Sequence, residues 1–203
     1  KETVSVDGMK AQSEGGDAYI IKNKMNEEEA YIVEYRKNTG WDSCLPDEGV
    51  MISHVDYDPA IWEYNVPNTY NGSYVSNGKY MTNTHQRLTL FHANNRETVS
   101  NALYPYADNN SLTANTKPAA KVYTTNADGS NFMHVEITDI AISGDKESAS
   151  MTFVPTLSNT PQDDVLYSES FSMCDGEGGN DGLWSGVTSA NSPIFEEGHK
   201  AWT

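Results

Sequence analysis

The residues from Cys174 to Trp184, CDGEGGNDGLW, are the stretch whose types best suit site chemistry. Asp175, Glu177, Asn180 and Asp181 present hard oxygen ligands on a backbone freed by glycines, as a calcium ion needs in order to gather about six to eight oxygens at once. The spacing is not that of an EF-hand, and a solvated acidic loop has the same composition. Asn126-Ala127-Asp128-Gly129-Ser130-Asn131 is similar, but reads as a plain turn joining two strands. A second set is His54, Asp56 and Asp58. Residues two apart on a strand share a face, so these three converge if the strand runs that far, where they could bind a metal or raise the imidazole's affinity for a proton. A structural hydrogen-bonded network at the strand end is the favoured reading. Ser53 cannot act as a nucleophile beside His54, because adjacent strand residues point to opposite faces. His85 and His92, seven apart, read as ordinary strand residues on opposite sides. Trp62, Tyr70, Tyr74, Tyr80, Tyr104 and Tyr106 offer flat rings for sugar stacking, although half-buried rings on a sheet surface account for most of them.

The elements that must position these groups are almost wholly extended. Tyr31, Val33 and Tyr35 alternate with Ile32, Glu34 and Arg36, and Val50 to Tyr57 is a second β-branched and aromatic run, each with the period of two expected of a strand. The Asn38-Thr39-Gly40 and Leu45-Pro46-Asp47-Glu48-Gly49 segments supply turn chemistry between them. Asp17 to Lys22, Arg87 to His92, Lys121 to Thr124, His134 to Ile142 and Ala149 to Val154 are further short β-prone segments. In His134 to Ile142 the apolar phase switches, which predicts a bulge at Thr138 to Asp139, and Ser143 to Lys146 then turns the chain into a hairpin. Asp58 is a good N-cap and Pro59 suits a first helical position, so one short helix is expected at Pro59 to Tyr64. The region of Tyr70, Tyr74 and Tyr80, punctuated by Asn71-Gly72 and Asn77-Gly78, reads as a hairpin or an exposed excursion. The predicted fold is an all-β, antiparallel β-sandwich with one short helix.

Composition divides the chain after Val154. Residues 1–154 form the expected sandwich domain and residues 155–162 a polar linker with two prolines. Residues 163–203 carry eight acids and no Lys or Arg before Lys200. They read as the start of a second β module or as an extension packed on the first domain. At 203 residues the chain can bury a sizeable core without disulfide staples. Its formal charge of −16 disfavours nucleic acid and anionic membrane surfaces. No run of roughly 18 apolar residues is present to span a bilayer. The first residues, Lys1 to Asp7, lack the apolar stretch of a signal peptide. Cys44 and Cys174 could bridge each other, stay free, or pair elsewhere.

Several motifs occur in an order that resembles secreted bacterial metallopeptidases of the immune inhibitor A family, in the region after their catalytic core. They are Glu14-Gly15-Gly16-Asp17-Ala18-Tyr19, Tyr31 to Gly40, Gly49 to Asp58 and His85-Gln86-Arg87-Leu88-Thr89. Tyr104-Pro105-Tyr106, Asn110-Ser111-Leu112-Thr113 and the Ile137 to Phe153 strand pair follow. The resemblance implies export, hence a secreted or cell-surface location, and an upstream catalytic domain of the same polypeptide as partner. Zinc would belong only to that domain. The family's HExxH motif, two histidines one helical turn apart around a general-base glutamate, is absent from this sequence. The five histidines, His54, His85, His92, His134 and His199, are never three or four residues apart. Ser53 stands where such sequences often carry Trp, and Cys44 where a neutral residue such as Tyr is expected. The C-terminal stretch looks like the opening of a jelly-roll module of the kind appended to secreted Bacteroidetes-type proteins, though it is too short for eight strands. The expected function is a non-catalytic accessory β-domain of a secreted zinc metallopeptidase. The alternative is an extracellular glycan-binding or adhesion module with a protein or glycan ligand.

Overall fold

The computed structural model describes residues 2–69, 72–76, 79–156 and 166–170. Among the described residues ten strands form two antiparallel sheets and a hairpin. Strands β1 (Val4–Met9), β8 (Val135–Ile142) and β9 (Ala149–Pro155) make a three-stranded sheet in the order β1-β9-β8. Strands β2 (Asp17–Asn23), β3 (Asn26–Arg36), β4 (Gly49–Asp56), β7 (Leu88–Leu90) and β10 (Leu166–Ser170) make the larger sheet, ordered β10-β2-β3-β4-β7. Among the described residues, strands β5 (Gly72–Ser76) and β6 (Lys79–Asn83) pair only with each other. No helix among the described residues is long and apolar enough to cross a membrane.

Period-two alternation builds the core. Tyr31, Val33 and Tyr35 of β3 and Val50 and Ile52 of β4 are fully buried, and they face Ile137, Met151 and Phe153 of the other sheet. Leu112, Ala120, Val122 and Tyr104, from the long connection between β7 and β8, join the same cluster. Each large apolar side chain withdrawn from water in this way contributes about 1.5–3 kcal/mol. Two of the buried tyrosine tips find backbone acceptors: Tyr31 Oη donates to the Lys121 carbonyl at 2.7 Å and Tyr35 Oη to that of Lys146 at 2.8 Å. Tyr19 meets Phe153 at 5.4 Å between ring centroids, which pins the two sheets together.

The bulge and the helix follow from local chemistry. The β8–β9 register shifts between Thr138 and Ala141, with Asp139 at φ +54°, and this returns Ile140 to the same buried interior as Val135 and Ile137. Helix α1 (Pro59–Glu63) begins where Asp58 accepts hydrogen bonds from the amides of Ala60 and Ile61, at 3.0 and 3.3 Å.

Three expectations are corrected. The strand expected over Arg87 to His92 shrinks to Leu88–Leu90. Lys121 to Thr124 is not a strand and keeps a single bridge, Lys121 to Phe132, because the amides of Tyr123 and Thr124 turn to a buried carboxylate instead of to a neighbouring strand. Strand β1 was not expected, since Asp7 and Gly8 interrupt its β-signal; Gly8 sits at φ +73° inside an irregular register with β9. Leu166–Ser170 pairs antiparallel with β2 from Asp17 to Ile21.

Candidate functional site

The densest cluster of titratable side chains lies at one end of the sandwich, on the interior face of β3 and β4. Glu29 stands opposite Asp56, and Tyr31 opposite His54, in the ladder between these strands. The same alternation that turns Tyr31, Val33 and Tyr35 inward also turns Glu29 inward, and its side chain is wholly buried. Four donors meet its carboxylate. His54 Nε2 and the Tyr123 amide reach Oε1 at 2.8 and 2.5 Å. Asn23 Nδ2 and the Thr124 amide reach Oε2 at 2.9 and 3.0 Å. A carboxylate offers about four lone-pair sites, so every one is occupied.

Aromatic rings enclose the imidazole. His54 stacks with Tyr123 at 4.9 Å and with Phe91 at 5.8 Å between centroids, and Tyr31 meets it edge-on at 5.2 Å. Tyr123 in turn stacks on His85 at 3.7 Å. His85 Nε2 and Arg87 Nη1 both reach Asp56 Oδ2 at 2.7 Å. Arg87 Nε donates to Asn83 Oδ1 at 3.1 Å, and the Asn83 amide donates to the carbonyls of Val66 and Thr69. The network thus ties the end of β4 to the chain on either side of the β5–β6 hairpin.

Burial pushes the Glu29 carboxyl up, but hydrogen bonds from His54, Tyr123 and Thr124 outweigh it and hold the group at about 2, below its ordinary 4.5. A carboxylate depressed in the folded state contributes stability that is complete above its unfolded value and is lost as pH falls towards the folded one. The expected result is a loss of about 3 kcal/mol between pH 5 and pH 2 from this group. Urea unfolding across that range checks it, with Glu29→Gln expected to flatten the acid limb.

The structure separates the other residues singled out by sequence. His54 and Asp56 share the interior face but bind different partners. Asp58 leaves them, because β4 ends at Asp56 and Asp58 becomes the helix cap. Ser53 lies on the outer face, paired with Ile32 and Leu90. His85 is a ligand of Asp56 outside any strand rather than a strand residue, and His92 donates from Nδ1 to the Arg96 carbonyl. Asn126 to Asn131 is a turn closed on itself, with Asn126 Nδ2 bound to Ser130 Oγ and the Phe132 carbonyl. Asp175, Glu177, Asn180 and Asp181 lie outside the described residues, as does Cys174; Cys44 is an exposed free thiol. Among the described residues no three His, Cys, Asp or Glu side chains are grouped to hold a metal ion.

The six rings weighed for sugar stacking differ in setting, with Tyr106 38% exposed. Tyr104 is fully buried, Trp62 packs on Tyr57 at 5.2 Å, and the side chains of Tyr70, Tyr74 and Tyr80 lie outside the described residues. Sequence reasoning missed Trp41, whose indole is 99% exposed in the 3-10 turn Gly40–Cys44. It also missed Glu29, hidden in the run Glu27-Glu28-Glu29. Compared with known proteins, the chain matches no family model, and neither the curated proteins nor the solved structures give a significant match.

Proposed function

We propose that this chain is a non-catalytic accessory β-domain of a secreted zinc metallopeptidase, one that supports a catalytic core or positions its substrate. The observation that carries this reading is the saturation of Glu29. The most deeply buried acid–imidazole pair among the described residues is committed to cross-linking β3, β4 and the segment around Tyr123, leaving no lone pair to take a proton from a substrate or to bind a metal. Support for the family comes from the ordered motifs between Glu14 and Phe153. Several of their residues also have structural roles, with Gly15 capping a 3-10 turn, Tyr31 and Tyr35 in the core, and Asp58 capping α1. Zinc would be held by an upstream catalytic domain.

The purified chain incubated with casein, with zinc and with chelator, is expected to release no peptide above the buffer rate. Zinc-dependent cleavage would overturn the reading. A second check is the coding sequence upstream, where an HExxH motif is expected within about two hundred residues.

A further inference from the structure

A cleft of about 670 Å³ lies beside β7, within the range of ligand sites, roughly 300–1,000 Å³. Both segments that border it are fixed by hydrogen bonds of their own. On one side runs His92 to Ala102, a loop bonded mainly to itself. The Asn95 amide donates to the His92 carbonyl at 2.8 Å, Asn94 Nδ2 to Thr98 Oγ1 at 3.0 Å and to the Ser100 carbonyl at 2.9 Å, and the Ala93 amide to the Ala102 carbonyl at 2.7 Å. On the other side stand Asn68 and Gln86. Their segments are joined where the Arg87 amide donates to the Pro67 carbonyl at 2.7 Å and Gln86 Nε2 to the Asn68 carbonyl at 3.4 Å. Leu88, Leu90, Phe91 and Pro118 supply the apolar lining.

The polar groups of the lining are mixed in sign and uncommitted. Among the described residues, the side chains of Asn68, Asn95, Arg96 and Glu97 form no hydrogen bond or ion pair, and all four line the cleft. The β7 backbone adds to them: the Asp56 amide donates to the Arg87 carbonyl and the Phe91 amide to that of Ile52, so the N–H and C=O of Leu88 and Leu90 turn away from β4. A strongly charged ligand gains little here, because Arg96 and Glu97 cancel and the chain's −16 repels anions. An extended peptide also fits poorly, since β7 offers only three residues and the Arg87 amide is already taken by Pro67. What matches is a ligand rich in neutral groups that donate and accept at once. Amide side chains do both, a guanidinium donates in pairs and a carboxylate accepts in pairs, which suits neighbouring hydroxyls on a ring.

We propose that this cleft binds a neutral oligosaccharide. Arg96, Glu97 and the Asn68 and Asn95 amides hydrogen-bond its hydroxyls, while Leu88, Leu90 and Pro118 meet the C–H face of a sugar ring. The bordering segments are held by their own hydrogen bonds before any ligand arrives, so binding orders few groups beyond the contacting side chains. Among the described residues the cleft shares no member with the six rings weighed for sugar stacking from the sequence. The proposal goes beyond the accessory-domain reading and does not rest on it.

The test titrates the isotopically labelled 203-residue chain with cellotetraose, mannotetraose and N-acetylchitotetraose, following amides by NMR. At least one sugar is expected to bind saturably with a Kd of about 1 mM or tighter, shifting Leu88, Leu90, Asn95 and Glu97. That affinity should change little between about 0.01 and 1 M salt, and tetragalacturonate, the anionic comparison, should bind no better. Arg96→Ala/Glu97→Ala removes one charge of each sign and so keeps the net charge at −16. The melting temperature should stay unchanged, because neither side chain is bonded among the described residues. The sugar should bind roughly tenfold more weakly, through loss of hydrogen bonds to charged groups. Absence of saturable binding by all three sugars, shifts that bypass the cleft, tighter binding of tetragalacturonate, or equal binding by the double variant would each overturn the proposal. Should the double variant unfold, the titrations of the unaltered chain still decide. Casein cleavage does not enter the readout, so the sugar cleft and the accessory-domain reading fail separately.

Discussion

Glu29→Ala is expected to cost about 3–5 kcal/mol in urea unfolding at pH 7, the range found when one member of a buried, hydrogen-bonded pair is removed. Total stabilities of small domains run to about 5–15 kcal/mol, so this is a large share. The loss has two sources. His54 keeps its place among Tyr31, Phe91 and Tyr123 but has no acceptor at Nε2. The Tyr123 and Thr124 amides lose their acceptor as well, and these are what the segment presents in place of a strand ladder. The Glu29→Ala/His54→Ala double variant should recover part of the first loss and none of the second. A change under about 1 kcal/mol for Glu29→Ala would show the carboxylate to be dispensable and would remove the structural role assigned to it.

Gly16→Ala should be the most disruptive single-methyl change. A Cβ at this position would lie 1.9 Å from the Lys10 carbonyl oxygen, 2.5 Å from its carbon and 2.9 Å from the Ala11 oxygen. These are backbone atoms, and the Ala11 carbonyl is held by the amides of Glu14 and Gly16 at 2.9 and 3.0 Å, so no flexible side chain can give way. Overpacking of this kind costs about 3 kcal/mol, the upper end of the common range. Gly8, at φ +73° with nothing within 4 Å of an added Cβ, makes the useful contrast, since alanine there meets only left-handed strain of about 1–2 kcal/mol. Thermal unfolding of both variants separates the effects; equal midpoints would mean that the junction of β1 and β2 yields where it is drawn as rigid.

What could be read from sequence was what depends on near neighbours. Alternation in Tyr31 to Tyr35 and Val50 to Ile52 marks the interior, Asp58-Pro59 marks a helix start, and the phase change near Thr138 marks a bulge, each within a few residues. The polar cluster was legible only in part. His54 and Asp56 sit on one face by strand periodicity, but their partners come from far along the chain. Glu29 is 25 residues from His54 and more than 90 from Tyr123 and Thr124. In the sequence Glu29 looks like the third member of a solvated acidic run. His85 likewise owes its place to Asp56, 29 residues away, and not to any periodicity of its own. The continuation of the alternating phase from Tyr31 back to Glu29 was the available signal, and a charged residue at a core-facing position is the kind of conflict that points to a special role.

Because Val4 pairs with Phe153, the first strand of the smaller sheet must wait for almost the last. A ribosome adding about 5–20 residues per second needs roughly 7–30 s to deliver β9 after β1 has emerged. During that interval Val6 and Met9 have no partner, while β2, β3 and β4, contiguous in sequence, can already zip together. The nascent chain therefore passes through a half-built stage with β2, β3, β4 and β7 paired and their inner surface bare, a natural point of engagement for holding chaperones.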